Sequence, residues 1–343
     1  MNLYWPVYLK IEREVLSLAD FIHFSDDQIT VYSIQIADLI VRCAVEIEAL
    51  SKELYKSLGG NMEPEDGAGN KRDLYFDTDC MALINSRWHL DKKSITITAP
   101  TMYFEKNMKL TPLAKSDKRG GAKWNKAYQA LKHNRYENLK KATVGNLLLS
   151  LGALYILNIY YKNENYDLGR MGNGSIEFKN ELGSSIFVTE FYQAQLLEWH
   201  VGGWQIKPII GDDLESSIYI VKVSDRDYEI LDYNMQLDLR WSEKNFEASD
   251  RIQSFLKQHP EYKGKTVKEI CYAAGGEHLH KEIVSDIFVK GGTPEPLLQA
   301  VLNKHDGDIY PGEQEYSNEE LDEELDRQWI QAMVGQVRTK KLW

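Results

Sequence analysis

His133 stands in the segment Trp124-Asn-Lys-Ala-Tyr-Gln-Ala-Leu-Lys-His-Asn-Arg135, beside Lys132 and Arg135 and downstream of Lys123 and Lys126. An imidazole titrates near neutrality and can exchange a proton with a ribose hydroxyl or a leaving oxygen, while a nearby Lys or Arg holds the phosphate. Trp124, Tyr128 and Tyr136 add rings of the kind on which bases stack. From Lys106 to Lys141 there are eleven Lys/Arg, Lys118 and Arg119 among them, against two carboxylates, Asp117 and Glu137. That island carries +9 in a chain whose net charge is −11. A cluster of this size and sign is an electrostatic footprint for a polyanion, most simply nucleic acid. The plainer reading of the same residues is a solvated helix with a basic face.

If residues 122–136 are helical, Asn125, Gln129, Lys132, His133 and Tyr136 share one broad face. Trp124, Tyr128, Leu131, Arg135 and Leu139 share the other, so His133 falls on a polar strip and not on the apolar stripe. Arg42 and Glu46 sit four apart on an earlier helix and read as a stabilising pair. His278, His280 and Glu282 invite a metal reading, but no third ligand of clear spacing accompanies His278 and Glu282, so neither metal nor cofactor is expected. The helix–Gly275-Gly276–helix outline resembles a helix-turn-helix, yet its second helix carries Glu277, Glu282 and Asp286, a poor groove-reading surface. The chain has no P-loop, no GxGxxG after a strand, no GxSxG elbow and no HExxH.

The elements that must position these residues follow from hydrophobic periodicity. Helices are predicted over about Val7–Phe24, Thr30–Leu58 (closed by Gly59-Gly60), Asp79–Trp88, 122–136 and Asn138–Tyr161. Ser94 to Ala99 alternates like a strand, with Met102 to Glu105 as its hairpin partner. After Lys162 the pattern changes to five short period-two runs, at Ser175–Lys179, Ile186–Tyr192, Trp204–Ile210, Ser217–Val223 and Tyr228–Leu231, which suggest a small antiparallel sheet. Helices return at Ser242–His259, from a capping box at Thr266–Glu269, over Glu277–Val289, and from Pro294/Pro296 to near His305. Gly312 to Asp326 holds eight carboxylates and no basic residue, followed by an amphipathic end, and reads as a tail or a docking helix. The expected organisation is therefore a helical bundle at 1–165, a small β region at 166–235, a helical region at 236–311 and an acidic tail at 312–343.

The apolar run from Leu147 to Tyr161 is too short for a spanning helix and reads as a core element, so no membrane association is expected. Met1 to Pro6 lacks the features of a signal peptide, and the three cysteines (Cys43, Cys80, Cys271) show no disulfide or zinc spacing. A cytoplasmic setting is the expectation.

The basic island resembles that of HEPN-type helical bundles, a superfamily of prokaryotic toxin and defence ribonucleases and their inactive relatives. The resembling residues are Leu110-Thr-Pro-Leu-Ala-Lys, Lys118-Arg-Gly, Trp124 to Arg135 and Asn138-Leu-Lys-Lys-Ala, with Val41 to Lys52 as the preceding long helix. The resemblance covers about residues 1–165. It implies a HEPN-like bundle there and a homodimer with two facing motifs; with the patterns read above, the expected fold is mainly α, a HEPN-like helical bundle with an inserted β-hairpin followed by an α+β C-terminal region. The family's ribonuclease motif is an arginine, a polar residue and then a histidine. His133 matches the histidine. A spacing of four intervening residues puts the arginine position at Tyr128, with Gln129 as the polar residue, and a spacing of six puts it at Lys126. Neither is arginine, and the planar fork that arginine offers a scissile phosphate is missing.

Two functions follow. One is a metal-independent endoribonuclease, with His133 as general acid or base, Lys126, Lys132 and Arg135 on phosphate, and Tyr128 and Gln129 orienting the 2′-hydroxyl or base. The other, which the missing arginine favours, is a non-catalytic module in a defence or toxin-type context whose same face grips RNA or an acidic partner. The basic face, extended by Lys118, Arg119 and Lys123, could also bind the chain's own acidic segment 313–326.

Overall fold

The computed structural model describes residues 3–115, 121–170, 177–200, 203–208, 213–284, 295–312 and 314–340, and within them the protein is mainly helical. The chain forms two compact units. One comprises Met1–Gly169, Asn173–Lys222 and Leu298–Ile309, and the other Arg170–Gly172, Val223–Leu297 and Tyr310–Trp343.

In the first unit, α1 (Tyr4–Ala19), α2 (Ile34–Ser57), α4 (Lys123–His133) and α6 (Val144–Lys162) pack as a bundle, with the small α3 (Met81–Trp88) against α2. α1 buries Tyr8, Ile11, Val15 and Leu18, the stripe that its three-to-four spacing predicts. α2 opens on Ser33, whose hydroxyl accepts from the Ile36 N–H at 3.1 Å. It closes as a Schellman motif: the Gly60 N–H reaches the Tyr55 carbonyl, the Gly59 N–H reaches that of Lys56, and Gly59 takes φ +79°. α6 is long and apolar enough to cross a membrane by length and composition, but it is the buried centre of this bundle. A Cβ on its Gly152 would lie 2.7 Å from Ile95 Cδ1 and 2.9 Å from Pro112 Cγ, so the β segment rests directly on the helix backbone.

The basic helix is shorter than its pattern suggests. Asn134, at φ −153° and ψ 87°, ends α4 and then caps the four-residue α5 (Arg135–Asn138) by accepting from the Glu137 N–H at 3.3 Å. Asparagine competes for local backbone donors in this way, and the break takes Arg135, Tyr136 and Leu139 off the faces that a continuous helix would give them.

The strands also depart from expectation. β1 (Phe24–Ser25) pairs in parallel with β3 (Met102–Tyr103), while β2 (Ile95–Ile97) lies between β4 (Lys109–Leu110) and β6 (Phe187–Thr189), antiparallel to both. The expected 94–99/102–105 hairpin therefore does not form. Asp26 gathers the backbone N–H groups of Glu105, Lys106 and Asn107 at 2.8–3.1 Å, which draws this segment onto β1.

A separate five-stranded sheet consists of β5 (Tyr166–Arg170), β7 (Phe191–His200), β8 (Gly203–Pro208), β9 (Tyr219–Val223) and β10 (Leu297–Leu302), in the order β5-β10-β9-β7-β8. β7 pairs antiparallel with β8 but parallel with β9. The expected small antiparallel sheet is thus mixed. The Pro294–His305 helix is replaced by the strand β10, which buries Ala300 and Leu302. Residues 175–176, 209–210, 285–289 and 294 of four expected elements lie outside the described residues.

The second unit holds α7 (Asp225–Ala248), α8 (Asp250–Gln258), α9 (Val267–Ile283) and α10 (Asn318–Lys340). Tyr228–Leu231 lies in α7, not in a strand, because Ser224 caps the helix and Asp225 and Asp227 favour its positive end. The expected Ser242–His259 helix is divided at Ser249, which caps α8. The Thr266–Glu269 capping box opens α9, which kinks at Gly276 (φ +74°). The acidic segment is helical from Asn318 and docks on α7. Leu321 and Leu325 are buried with Leu237, and Asp322 takes both Arg240 (2.9 Å) and Lys244 (3.3 Å).

Candidate nucleic-acid interface and a histidine–carboxylate cluster

α4 presents two chemically distinct faces. Trp124, Asn125, Ala127, Tyr128 and Leu131 are buried, and the Trp124 indole N–H donates to the Pro112 carbonyl at 3.1 Å. Lys123, Lys126, Lys132 and His133 are exposed, Gln129 is half-buried, and Tyr136 beyond the break is 95% exposed. His133 and Lys132 therefore sit on a solvent face as their spacing predicts, and Lys123 and Lys126 are exposed too. Asn125 does not: it is turned inward, its amide donating to Asp77 at 3.2 Å, with its own Oδ1 unpartnered.

Tyr128 is only 4% exposed and belongs to the hydrophobic core of the bundle, not to the face that carries His133. This corrects its expected part in orienting a 2′-hydroxyl or base. Lys132 Nζ lies over the Tyr128 ring at 5.7 Å from its centroid. Lys118 and Arg119 lie outside the described residues.

Two arginines bear on whether a phosphate fork could be supplied from elsewhere. Arg42 pairs with Glu14 across α1 and α2, its second nitrogen at 2.8 Å, and not with Glu46 as the i,i+4 spacing suggests. Arg135 donates to Asp38 at 2.6 Å, and both side chains of that pair are about half exposed. Part of the basic island is likewise offset: Lys109 lies 3.3 Å from Glu190 and Lys115 3.7 Å from Asp91. Lys123, Lys132, Lys140 and Lys141 are exposed with no carboxylate partner among the described residues.

A second constellation, absent from the sequence reading, lies in the same unit. His89 follows α3, Glu215 lies in the loop before β9, and His305 follows β10. The two imidazoles stack at 4.5 Å between centroids and 15° between planes, and His89 Nδ1 is 2.8 Å from Glu215 Oε1. The hydrogen bond from His89, together with the charges of His305 and Lys92, holds the Glu215 carboxyl below its usual range. Lys93 is fully buried beneath them, with Nζ 2.8 Å from His305 Nε2 and 3.1 Å from the Glu215 carbonyl. Burial pushes the Lys93 amine down to about 7, against the opposing pull of Glu215 and Asp213. The His305 imidazole is also lowered, first by burial and then by Lys93.

No local pattern announces this cluster. Its donors are more than 80 residues apart pairwise and meet only when β10 enters the sheet. His278 and His280, which the sequence does single out, are not brought together with a third donor among the described residues.

The fold and site define a mainly helical protein with a basic helical face on a buried bundle. No protein-family model, curated protein or solved structure matches the chain.

Proposed function

We propose that the protein is a non-catalytic RNA-binding module, a divergent HEPN-like bundle that grips single-stranded RNA with the exposed face of α4 and the turn that follows. The observation that carries this reading is the separation of the two halves of the family's chemistry. His133 lies on the solvent face, whereas Tyr128, the arginine position at a spacing of four, is buried, and the position at a spacing of six holds the exposed Lys126, a point charge and not a fork. Of the two arginines that could stand in for the fork, Arg42 is bonded to Glu14 and Arg135 to Asp38. An arginine that must first leave its carboxylate is not the fixed fork that catalysis needs to hold the scissile phosphate and offset its charge. Binding asks less: lysines within reach of successive phosphates and a ring for stacking, which Lys123, Lys132, Lys140, Lys141 and the exposed Tyr136 supply. The half-exposed Arg135–Asp38 pair is worth little in water and can exchange Asp38 for a phosphate. A homodimer with two such faces apposed is part of the proposal.

The test compares single-stranded RNA incubated with the wild-type protein and with His133→Ala in EDTA, alongside binding measured across salt. The expected result is salt-sensitive binding by both proteins and cleavage by neither. Cleavage that disappears in His133→Ala replaces this reading with the ribonuclease one. Affinity that does not change with salt removes RNA binding altogether.

A further inference from the structure

We propose that His89, Glu215 and His305 form a binding site for a divalent ion of the zinc class, a property separate from the RNA-binding reading. The donor set is two imidazole nitrogens and one carboxylate oxygen, which suits zinc, cobalt or nickel and leaves a coordination position for water. One donor atom from each of the three lies within 4.8 Å of the others. A tetrahedral shell with metal–ligand bonds of about 2.0–2.1 Å sets its donors about 3.4 Å apart, so the three atoms need to close by about 1.5 Å at most. All three residues are half-buried, so an ion has access from solvent and still gains from partial desolvation.

The surrounding bonds hold the donors in register. Asn303, itself buried, donates its amide to the Leu214 and Ser217 carbonyls at 2.7 and 3.0 Å, and its own carbonyl accepts from Tyr160 at 2.6 Å. This ties the loop bearing Glu215 to the strand end bearing His305. Asp213 accepts from the Glu215 N–H at 3.1 Å and fixes the same loop from its other side. Second contacts of this kind orient ligands in metal sites. His89 and His305 also hold φ of 52° and 53°, two of the four non-glycine residues in the left-handed region among those described. Backbone strain of that sort persists where the surroundings impose it.

Two adjustments accompany binding. The stacked rings lie in nearly parallel planes, and an ion must lie close to the plane of each imidazole. One ring therefore turns, and His89, at a helix end and half exposed, is the one with room. Lys93 covers His305 Nε2, which leaves Nδ1 as the uncommitted nitrogen. The amines of Lys92 and Lys93 oppose the ion's charge, so binding weaker than that of closed structural zinc sites is expected.

The full-length protein, stripped of metal, is titrated with Zn2+ by calorimetry and with Co2+ by visible absorption. One ion per chain is expected, with cobalt bands of a four- or five-coordinate site. His89→Ala, His305→Ala and Glu215→Gln should each weaken binding at least tenfold, while His278→Ala should bind like the wild type. Should an alanine variant fail to fold, Glu215→Gln and the near-edge X-ray absorption of bound zinc, which reports imidazole ligation, stand in its place. Absence of Zn2+ and Co2+ binding by the wild type at 100-fold molar excess overturns the proposal. Binding by the Glu215→Gln and His305→Ala proteins as tight as that of the wild type overturns it too.

Discussion

Replacing Lys123, Lys132, Lys140 and Lys141 together by glutamine removes four exposed amines that have no carboxylate partner among the described residues. The size of the effect follows from counterion release. Each phosphate neutralised on a single strand contributes about −0.7 to the slope of log affinity against log salt. With these four lysines and Arg135 engaged, the wild-type slope should be about −3.5, and with Arg135 alone about −0.7. Between 50 and 200 mM salt the wild-type affinity should then fall about 100-fold, and that of the variant only about 3-fold. Fluorescence anisotropy of a labelled single-stranded RNA, titrated at five salt concentrations, measures both slopes. All four side chains are exposed, so the thermal midpoint should stay close to wild type and serve as the control. Equal slopes for the two proteins would refute the assignment of phosphate contacts to this face.

Three further outcomes are expected. Tyr128→Arg places an arginine at one of the two positions that the resemblance marks but buries an unpaired charge in the core. Urea unfolding should show a loss of about 3 kcal/mol or more with no gain of RNA cleavage, and an active, undiminished variant contradicts the packing argument. Gly152→Val forces a side chain against Ile95 and Pro112. It should cost about 2 kcal/mol by the same assay, and a neutral result means that β2 is not seated on α6. Asp26 is held down at about 2, first by the Lys106 and Glu105 backbone N–H groups. Its folded value lies below its unfolded one, so its contribution is complete above about pH 4 and is lost as the pH falls through 2. Asp26→Asn should lower the thermal midpoint at pH 6, and the gap should narrow by pH 2. A gap independent of pH removes the carboxylate from the account.

The bundle was readable in the sequence because its signals are local. Ile36, Leu39, Cys43, Ile47, Leu50 and Leu54 are all buried along α2, as their spacing predicts, and Gly59-Gly60 closes it. The solvent position of His133 was readable for the same reason. The fate of Tyr128 was readable only as periodicity, where it shares a stripe with Trp124 and Leu131; the resemblance pointed it toward chemistry, and packing decided otherwise. β10 was missed because Leu297 to Leu302 is a short apolar run, and such a run fits a buried strand or a helix equally well. Its neighbours β5 and β9 lie far back in the chain, so nothing within a local window favours the strand. The His89–Glu215–His305 cluster inherits that difficulty, since one of its members arrives on the segment that β10 brings in.

The order β5-β10-β9 gives the first unit a dependence on time as well as on sequence. When the ribosome has released residues up to Val223, β5 and β9 exist, but the slot between them has no occupant. Their facing edges stay unpaired until Leu302 emerges, roughly 4–16 s later at ~5–20 residues per second. Through that interval the nascent chain carries two open strand edges, the feature that invites mispairing and chaperone capture. Helices α7, α8 and α9 of the second unit, made of local contacts, have time to form meanwhile, while α10 emerges only after β10. A chain truncated before β10 would keep this vacancy permanently, and its solubility, not its sequence, would set how much of the bundle can be studied alone.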